Sequence, residues 1–195
     1  MAVQQAYLYM SSADYLQGEL LADTKHQLID GNVYAMVGAS ENHNLLSLNI
    51  ASELKNQLKG TPCRTFMADM KVKVMDDFYY PDVMVVYKED TVDDYYKTSP
   101  IIIVEVLSKS TRRFDQSQKR LRCQTLPALE EYVLIEQDKG EIQVFSRKDN
   151  WQSVYYYLGD QLTFHSLGIS VSVAAIYEQV NNEDVLAFLQ ENQQA

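Results

Sequence analysis

Two acidic residues of this 195-residue chain lie within apolar segments that are typical of buried strands. Asp82 follows Pro81 at the start of PDVMVVY, and Glu105 lies in the middle of PIIIVEVL. Both segments are apolar at odd and even positions, which predicts strands at the centre of a sheet with both faces buried. An ionised carboxylate is strongly unfavourable there unless a cation or a hydrogen-bond donor compensates it. These two residues are therefore the first candidates for a functional site.

The two strands are expected to pair as an antiparallel hairpin, which would set Asp82 directly opposite Glu105. Their Cβ atoms would then lie about 5 Å apart, and like charges so close destabilise a sheet unless a cation bridges them. Oxygen ligands at this spacing suit a hard divalent cation such as Mg²⁺. Alternatively, each acid separately meets a cation such as Lys73 or Arg112, or caps a backbone group at the rim of the sheet. The expected register pairs Val86 with Ile101 and Met84 with Ile103.

Basic residues cluster directly after the second strand. Six Lys and Arg against Asp115 give the segment 108–125 a local charge of +5, whereas the whole chain carries −10. The negative total argues against nonspecific coating of nucleic acid, because phosphate binding draws on clustered Lys and Arg. A basic face for a polyanion and a solvated helix explain the cluster equally well.

Helices and a turn that would position these residues follow from periodicity. Apolar residues at helical spacing predict a short helix over 14–23. From Ser40 onward, Leu46, Ile50, Leu54 and Leu58 predict an amphipathic helix that Gly60 closes. The pair Asp30-Gly31 between two alternating runs predicts a β-hairpin.

Strand patterns occupy most of the remaining chain. A helix is expected from Ser110 or Thr111 to about Gln124, and a closing helix in NEDVLAFLQEN. This order of elements predicts one α/β (α+β) domain over residues 1–195, with a mixed central sheet flanked by helices. The further strands are expected in CRTFMADMKVKVM, EYVLIEQ, GEIQVFS and SVYYYL.

Composition disfavours several classes of protein. The longest apolar stretches, 83–87 and 101–104, are far shorter than the roughly 20 residues of a membrane-spanning helix. The beginning of the chain lacks the pattern of a secretory signal, so a cytoplasmic protein without membrane association is expected. Cys63 and Cys123 lack metal-ligand spacing, which predicts reduced packing residues rather than a structural zinc site.

A longer pattern resembles a known family. Pro81-Asp82 is followed about twenty residues later by VEVLSKST and then by Asp115 and Lys119, which resembles the Uma-two family, formerly a domain of unknown function. Its members look like PD-(D/E)XK nucleases whose lysine has moved from the strand to the following helix, and Leu107 holds the vacated strand position here. The likeness covers QLIDGNVYAM, ASENHNLLSLNIASEL, YYPDVMVV, IIIVEVLSKSTRRFDQSQK, LPALEEYVLIEQD and AIYEQV.

The resemblance implies a restriction-endonuclease-like core that uses Mg²⁺ or Mn²⁺ to hydrolyse DNA. Asp82, Glu105 and the carbonyl of Val106 would be the metal ligands. Lys119 would orient the attacking water and neutralise charge on phosphate oxygens. Lys109 is the rival for this role because it is closer to Glu105 in the sequence.

Three other positions near these motifs are candidates for supporting roles in the site. His43 is expected to act as a proton shuttle or a phosphate donor, or only as a hydrogen-bonded residue near a helix start. Arg112 is a candidate phosphate contact. Gln27 stands where relatives often have Glu, and Glu41 or Asp69 is a candidate replacement for that carboxylate.

Two functions of other classes remain open on the sequence. One is a catalytically inactive module with the nuclease fold that binds nucleic acid or regulates another process. The other is a metal-stabilised interaction protein that never meets nucleic acid. Metal-dependent melting combined with DNA binding would separate the three. The strandedness of the DNA and the formation of a homodimer are likewise open.

Overall fold

The computed structural model describes residues 9–87 and 93–192. Its helices are α1 (Ser12–Glu19), α2 (Glu41–Gln57), α3 (Arg112–Phe114), α4 (Arg120–Cys123), α5 (Val173–Ile176) and α6 (Glu183–Asn192), with a π-helical turn, Asp115–Lys119, between α3 and α4. Its strands are β1 (His26–Ile29), β2 (Asn32–Ala35), β3 (Cys63–Met67), β4 (Lys71–Val74), β5 (Asp77–Tyr79), β6 (Val83–Tyr87), β7 (Tyr96–Lys97), β8 (Pro100–Leu107), β9 (Glu131–Glu136), β10 (Glu141–Ser146), β11 (Ser153–Tyr157), β12 (Gln161–Phe164) and β13 (Ile169–Ser172). None of these helices is long and apolar enough to cross a membrane.

Two sheets carry most of the strands. The larger has the order β11-β10-β9-β8-β6-β3, and the smaller has the order β2-β1-β5-β4-β7. Each contains one parallel pair, β8 with β9 and β4 with β7, among antiparallel neighbours. The strands β12 and β13 form a separate hairpin. The prediction of a mixed sheet flanked by helices is confirmed.

Both faces of the larger sheet are buried at its central strands β6, β8 and β9, as the uniformly apolar sequences of β6 and β8 predict. Helix α2 packs Leu46, Ile50 and Leu54 against one face. The other face packs against the smaller sheet and the basic helical segment, with Met84 and Tyr79 in that second core. Full burial of a side chain such as Leu54 stabilises the fold by about 1.5 to 3 kcal/mol.

Other predicted helices and turns are confirmed with shifted ends. Helix α1 spans Ser12–Glu19 rather than 14–23, whereas α2 begins at Glu41 directly after its N-cap Ser40, as expected. The hairpin at Asp30-Gly31 forms as predicted. The tail after β11, expected to be irregular, contains β12, β13 and α5.

The expected single strand over 63–75 is wrong, because the chain leaves one sheet and enters the other. Ala68 adopts a positive φ of 57°, a left-handed conformation that is incompatible with a continuous strand. The segment therefore forms β3 in the larger sheet and β4 in the smaller one.

The antiparallel pairing of β6 with β8 is confirmed, with one change in register. Met84 pairs with Ile103 as expected. A register shift at Val85/Val86 sets Val86 opposite Pro100 instead of Ile101. The shift lies away from the acidic end of the pair, so it does not change which residues meet there.

Candidate active site

Asp82 and Glu105 lie side by side at one end of the β6–β8 pair. Val83 pairs with Val104, which makes the two acids the next residues outward along their chains. Asp82 lies one residue before β6 rather than within it. The negative charge of Asp82 acts on Glu105, so the expected juxtaposition of the two carboxylates is present.

Asp82 is held through one of its two carboxylate oxygens. The backbone N–H of Val106 donates to Oδ2 at 2.7 Å, and Nε2 of His43 lies 3.3 Å from the same oxygen. Oδ1 receives no hydrogen bond from any residue in 9–87 or 93–192. The side chain is 23% exposed, so Oδ1 is the oxygen available to a ligand.

Glu105 forms a buried ion pair with Lys119. Nζ of Lys119 lies 2.7 Å from Oε1 of Glu105, with both side chains at least 96% buried. The same ammonium lies 3.8 Å from Asp115 and donates to the carbonyl of Tyr80 at 3.3 Å. A cation from the helical segment therefore compensates Glu105, whereas the sequence argument had named Lys73 and Arg112.

The ionisation of this cluster reflects burial first and charge second. Burial raises the pKa of Glu105 well above its usual range, although Lys119 acts to lower it. Burial likewise raises the pKa of Asp115, again against the effect of Lys119. Burial lowers the pKa of Lys119, but the two carboxylates outweigh it and the net shift is upward. The cluster therefore favours protons and other cations.

His43 shows the same competition between burial and charge. Burial lowers its pKa, but the hydrogen bond to Asp82 and the charge of that carboxylate raise it, and the net shift is upward. The imidazole therefore acts as a partial counter-charge for Asp82.

The π-helical turn Asp115–Lys119 aims the lysine at the site. Such turns are rare and insert one extra residue into a helix. Removing that residue would rotate everything after it by about 100° around the helix axis. Tyr132 supports the turn from β9 by donating to the carbonyl of Asp115 at 3.2 Å. The basic segment thus delivers Lys119 inward rather than forming one regular exposed helix.

A chain of hydrogen bonds ties the start of α2 to the end of β8. The Ser40 hydroxyl accepts from the N–H of His43 at 3.2 Å and donates to Gln137 at 2.5 Å. Gln137 donates in turn to the carbonyl of Leu107 at 2.9 Å. These contacts fix the position of His43 beside Asp82. The capping pattern of Ser40 is visible in the sequence, but its link to Gln137 spans 97 residues and has no sequence signal.

A polar cleft of about 590 Å³ opens between the start of α2 and the loop after β8. Glu41 and Lys109 both line it. Lys109 is exposed, whereas the ammonium of Lys119 contacts Glu105. Of these two candidate lysines, Lys119 is the one that lies at the carboxylates.

Three other sequence candidates lie outside the carboxylate cluster. Arg112 pairs with Glu136 and lies 3.6 Å from Asp138, so its charge is already engaged. Asp69 pairs with Lys25. The side-chain oxygen of Gln27 is buried and has no hydrogen-bond partner among the described residues.

The donor set fits a hard divalent ion that keeps part of its water shell. Asp82 and Glu105 supply carboxylate oxygens, and Val106 supplies a carbonyl next to them. Within residues 9–87 and 93–192 no group of three His, Cys, Asp or Glu side chains forms a ready metal cage. Mg²⁺ commonly binds through one or two carboxylates and retains several waters, which matches this sparse set.

The arrangement of these residues agrees with a family relationship. Residues 12–174 match the family described as "Putative restriction endonuclease", named Uma2. The chain belongs to the Uma2, or Uma-two, family. All the site residues described above lie within the matched range.

Two Synechocystis proteins and one solved structure resemble this Uma2 chain. The uncharacterized protein slr1290 is 33% identical over 173 residues, covering 86% of this chain and 91% of its own. The uncharacterized protein sll1609 is 37% identical over 133 residues, covering 66% of this chain and 75% of its own. A crystal structure of an Anabaena variabilis protein, titled a putative nuclease belonging to DUF820, superimposes with a TM-score of 0.75. It covers 88% of this chain and 99% of its own at 14% identity, so it establishes the restriction-endonuclease-like fold.

Proposed function

We propose that this protein is an endonuclease that hydrolyses DNA phosphodiester bonds with the help of Mg²⁺ or Mn²⁺. The observation that carries the proposal is the meeting of Asp82 and Glu105 with the Lys119 ammonium, 2.7 Å from Glu105. Nucleases of this fold need two carboxylates and one cation near the scissile phosphate, and membership of the Uma2 family adds support.

Asp82 through Oδ1, Glu105 and the carbonyl of Val106 would hold the metal ion. A bound divalent ion supplies Lewis acidity toward the phosphate and lowers the pKa of water. His43 and the N–H of Val106 hold the other oxygen of Asp82, which keeps the carboxylate in one orientation. Hydrogen bonds to a ligating carboxylate of this kind are typical of metal sites.

Lys119 would supply the positive charge that the reaction requires. Hydrolysis adds water to phosphorus and expels an alkoxide, so negative charge grows on the phosphate oxygens. An ammonium in a site that excludes water stabilises that charge far more than it would in solution. Its ion pairs with Glu105 and Asp115 keep Lys119 protonated, which suits a role as a donor and not as a base.

Cleavage of DNA by the purified protein tests the proposal directly. Supercoiled and single-stranded DNA would be incubated with Mg²⁺ or Mn²⁺, and chelator should abolish the products. Asp82→Asn should remove activity, whereas Glu191→Gln, at an exposed carboxylate of α6, should retain it. The endonuclease proposal would be refuted if the Asp82→Asn variant still cleaved DNA. It would also be refuted if the native protein cleaved no DNA under any of these conditions.

A nuclease fold without turnover is the second candidate, and the orphaned oxygen of Gln27 favours it. A carboxylate at this position would add a negative charge, whereas the amide leaves a buried oxygen without a hydrogen-bond partner among the described residues. Gln27→Glu separates the two functions. If the native protein binds DNA without cleaving it and the substitution creates cleavage, the inactive binding module is the correct description.

A further inference from the structure

Four of the six Lys and Arg residues in the basic segment after β8 are engaged within the protein, and Lys109 and Arg113 are exposed. Arg112 and Arg122 make ion pairs with carboxylates, and Arg120 donates to the main chain and lies 4.2 Å from the centroid of the Phe145 ring. Lys119 is buried with Glu105. The cluster that the sequence suggested as a nucleic-acid face is therefore largely used inside the protein.

Two other lysines have aromatic rings for neighbours instead of carboxylates. Lys71 and Lys73 alternate along β4 and thus project from the same face of the smaller sheet. Neither ammonium group makes an ion pair or a hydrogen bond with another residue in the described part of the chain. Lys71 is only 5% exposed, which is unusual for an ammonium without a close carboxylate.

Aromatic rings surround both ammonium groups. Nζ of Lys71 lies 5.2 Å from the ring centroid of Tyr80 and 6.0 Å from that of Tyr95. Nζ of Lys73 lies 5.8 Å from the ring of Tyr96. These distances are within the range of cation–π attraction. The rings hold the two cations in fixed positions without neutralising them.

The surroundings of the Lys71 ammonium favour the binding of an anion next to it. Burial lowers its pKa, and the charges of Glu19 and Asp93 offset this only from beyond ion-pair distance. An anion placed next to the ammonium would remove the cost of burial. Lys73 is half-buried and Tyr95 is 57% exposed, so a ligand can reach both.

Tyr80 contacts both this surface and the candidate active site. The ring of Tyr80 packs at Lys71, and its carbonyl accepts the hydrogen bond from Lys119. Asp82 follows two residues later. Tyr80 therefore joins the Lys71 side of the smaller sheet to the carboxylate cluster.

We infer that Lys71, Lys73, Tyr95 and Tyr96 form a binding surface for an unpaired nucleic-acid strand that leads into the active site. The inference rests on the proposed function and specifies its substrate class. The exposed ring of Tyr95 can stack only on a base that is not enclosed in a duplex. Two fixed cations in a chain of charge −10 suit a few phosphates, whereas a duplex groove needs a broad basic face.

The test measures binding without cleavage. The Asp82→Asn protein would be titrated, in chelator, against a fluorescent thymidine oligonucleotide and against the same strand in a duplex. Tyr95→Ala should weaken single-strand binding by about 5- to 150-fold, the effect of losing one stacked base. Lys73→Gln should reduce the slope of log affinity against log salt by about 0.7.

Matched controls on the far edge of the larger sheet separate stacking from general surface effects. Tyr155→Ala removes a ring that is 45% exposed, and Lys148→Gln removes an exposed lysine, so both should bind as the parent does. Equal losses in Tyr95→Ala and Tyr155→Ala, preference for the duplex, or no binding of the single strand would each overturn the inference. Failure of the nuclease proposal is read separately, as absence of cleavage by the native protein.

Discussion

Replacing Lys119 with methionine is expected to destabilise the protein by about 3 kcal/mol near neutral pH. Methionine has a similar length but leaves Glu105 and Asp115 buried without their shared cation. Removing one partner of a buried ion pair costs about 3 to 5 kcal/mol. We expect a loss at the lower end of this energy range, because the two carboxylates can take up protons when Lys119 is absent. Burial already raises the pKa of Glu105 in the parent protein.

The loss should depend on pH in a defined direction. Without Lys119, the pKa of Glu105 in the folded state rises further above its value in the unfolded chain. The penalty is then fully present above the folded pKa and disappears as pH falls toward the unfolded pKa, where both states are protonated. The difference in stability between parent and variant should therefore shrink on acidification.

Thermal and denaturant unfolding of metal-free protein at several pH values measures this effect. A loss of about 3 kcal/mol corresponds to a fall in melting temperature of about 6 to 12 °C for a domain of this size. Lys109→Met is the matched control, because that lysine is exposed and should change stability by less than about 0.5 kcal/mol. Adding Glu105→Gln to Lys119→Met should restore part of the stability. A loss that grows on acidification, or no loss at all, would contradict the assigned ion pair.

Other substitutions test the remaining contacts of the site. His43→Ala should weaken Mn²⁺ binding by about tenfold, measured by calorimetry, because a hydrogen bond that orients a ligating carboxylate is lost, and His43→Gln should keep part of the affinity. Lys119→Met should abolish DNA cleavage while Lys109→Met retains it, and the reverse result would reassign the lysine. Arg122→Ala should lower the free energy of unfolding by about 1 kcal/mol, because the partly exposed arginine is the counter-charge of Asp77. The loss is small because Asp77 keeps hydrogen bonds from the Tyr79 hydroxyl and the N–H of Asp30, and exposed Arg113→Ala should have no such effect.

The larger sheet was predictable because its strands are apolar on both faces. Helix α2 was predictable for the related reason that Leu46, Ile50 and Leu54 repeat at helical spacing. The switch of sheets at Ala68 was not, because alanine gives no signal for a positive φ. The π-helical turn was also invisible, since it depends on packing against Tyr132 from a distant strand.

The carboxylate pair was found from its burial, but its counter-charges were not. Glu105 and Lys119 are separated by 14 positions, and only the family pattern connected them before the structure placed them 2.7 Å apart. The partnership of His43 with Asp82 joins two elements that have no local relation in the sequence. Long-range pairing of this kind depends on tertiary packing, which periodicity does not report.

The relocation of the lysine follows from how β8 is packed. Alternate residues of a strand face the same side, so Leu107 projects toward the same face as Glu105. That face is the core shared with the smaller sheet, where Leu107 is 1% exposed and packs with Cys123. A lysine at position 107 would bury its stem in this core, whereas Lys119 reaches the same face from the helical segment above it. On the proposed function the reaction needs an ammonium at one point in space, and the π-helical turn supplies it in place of the strand.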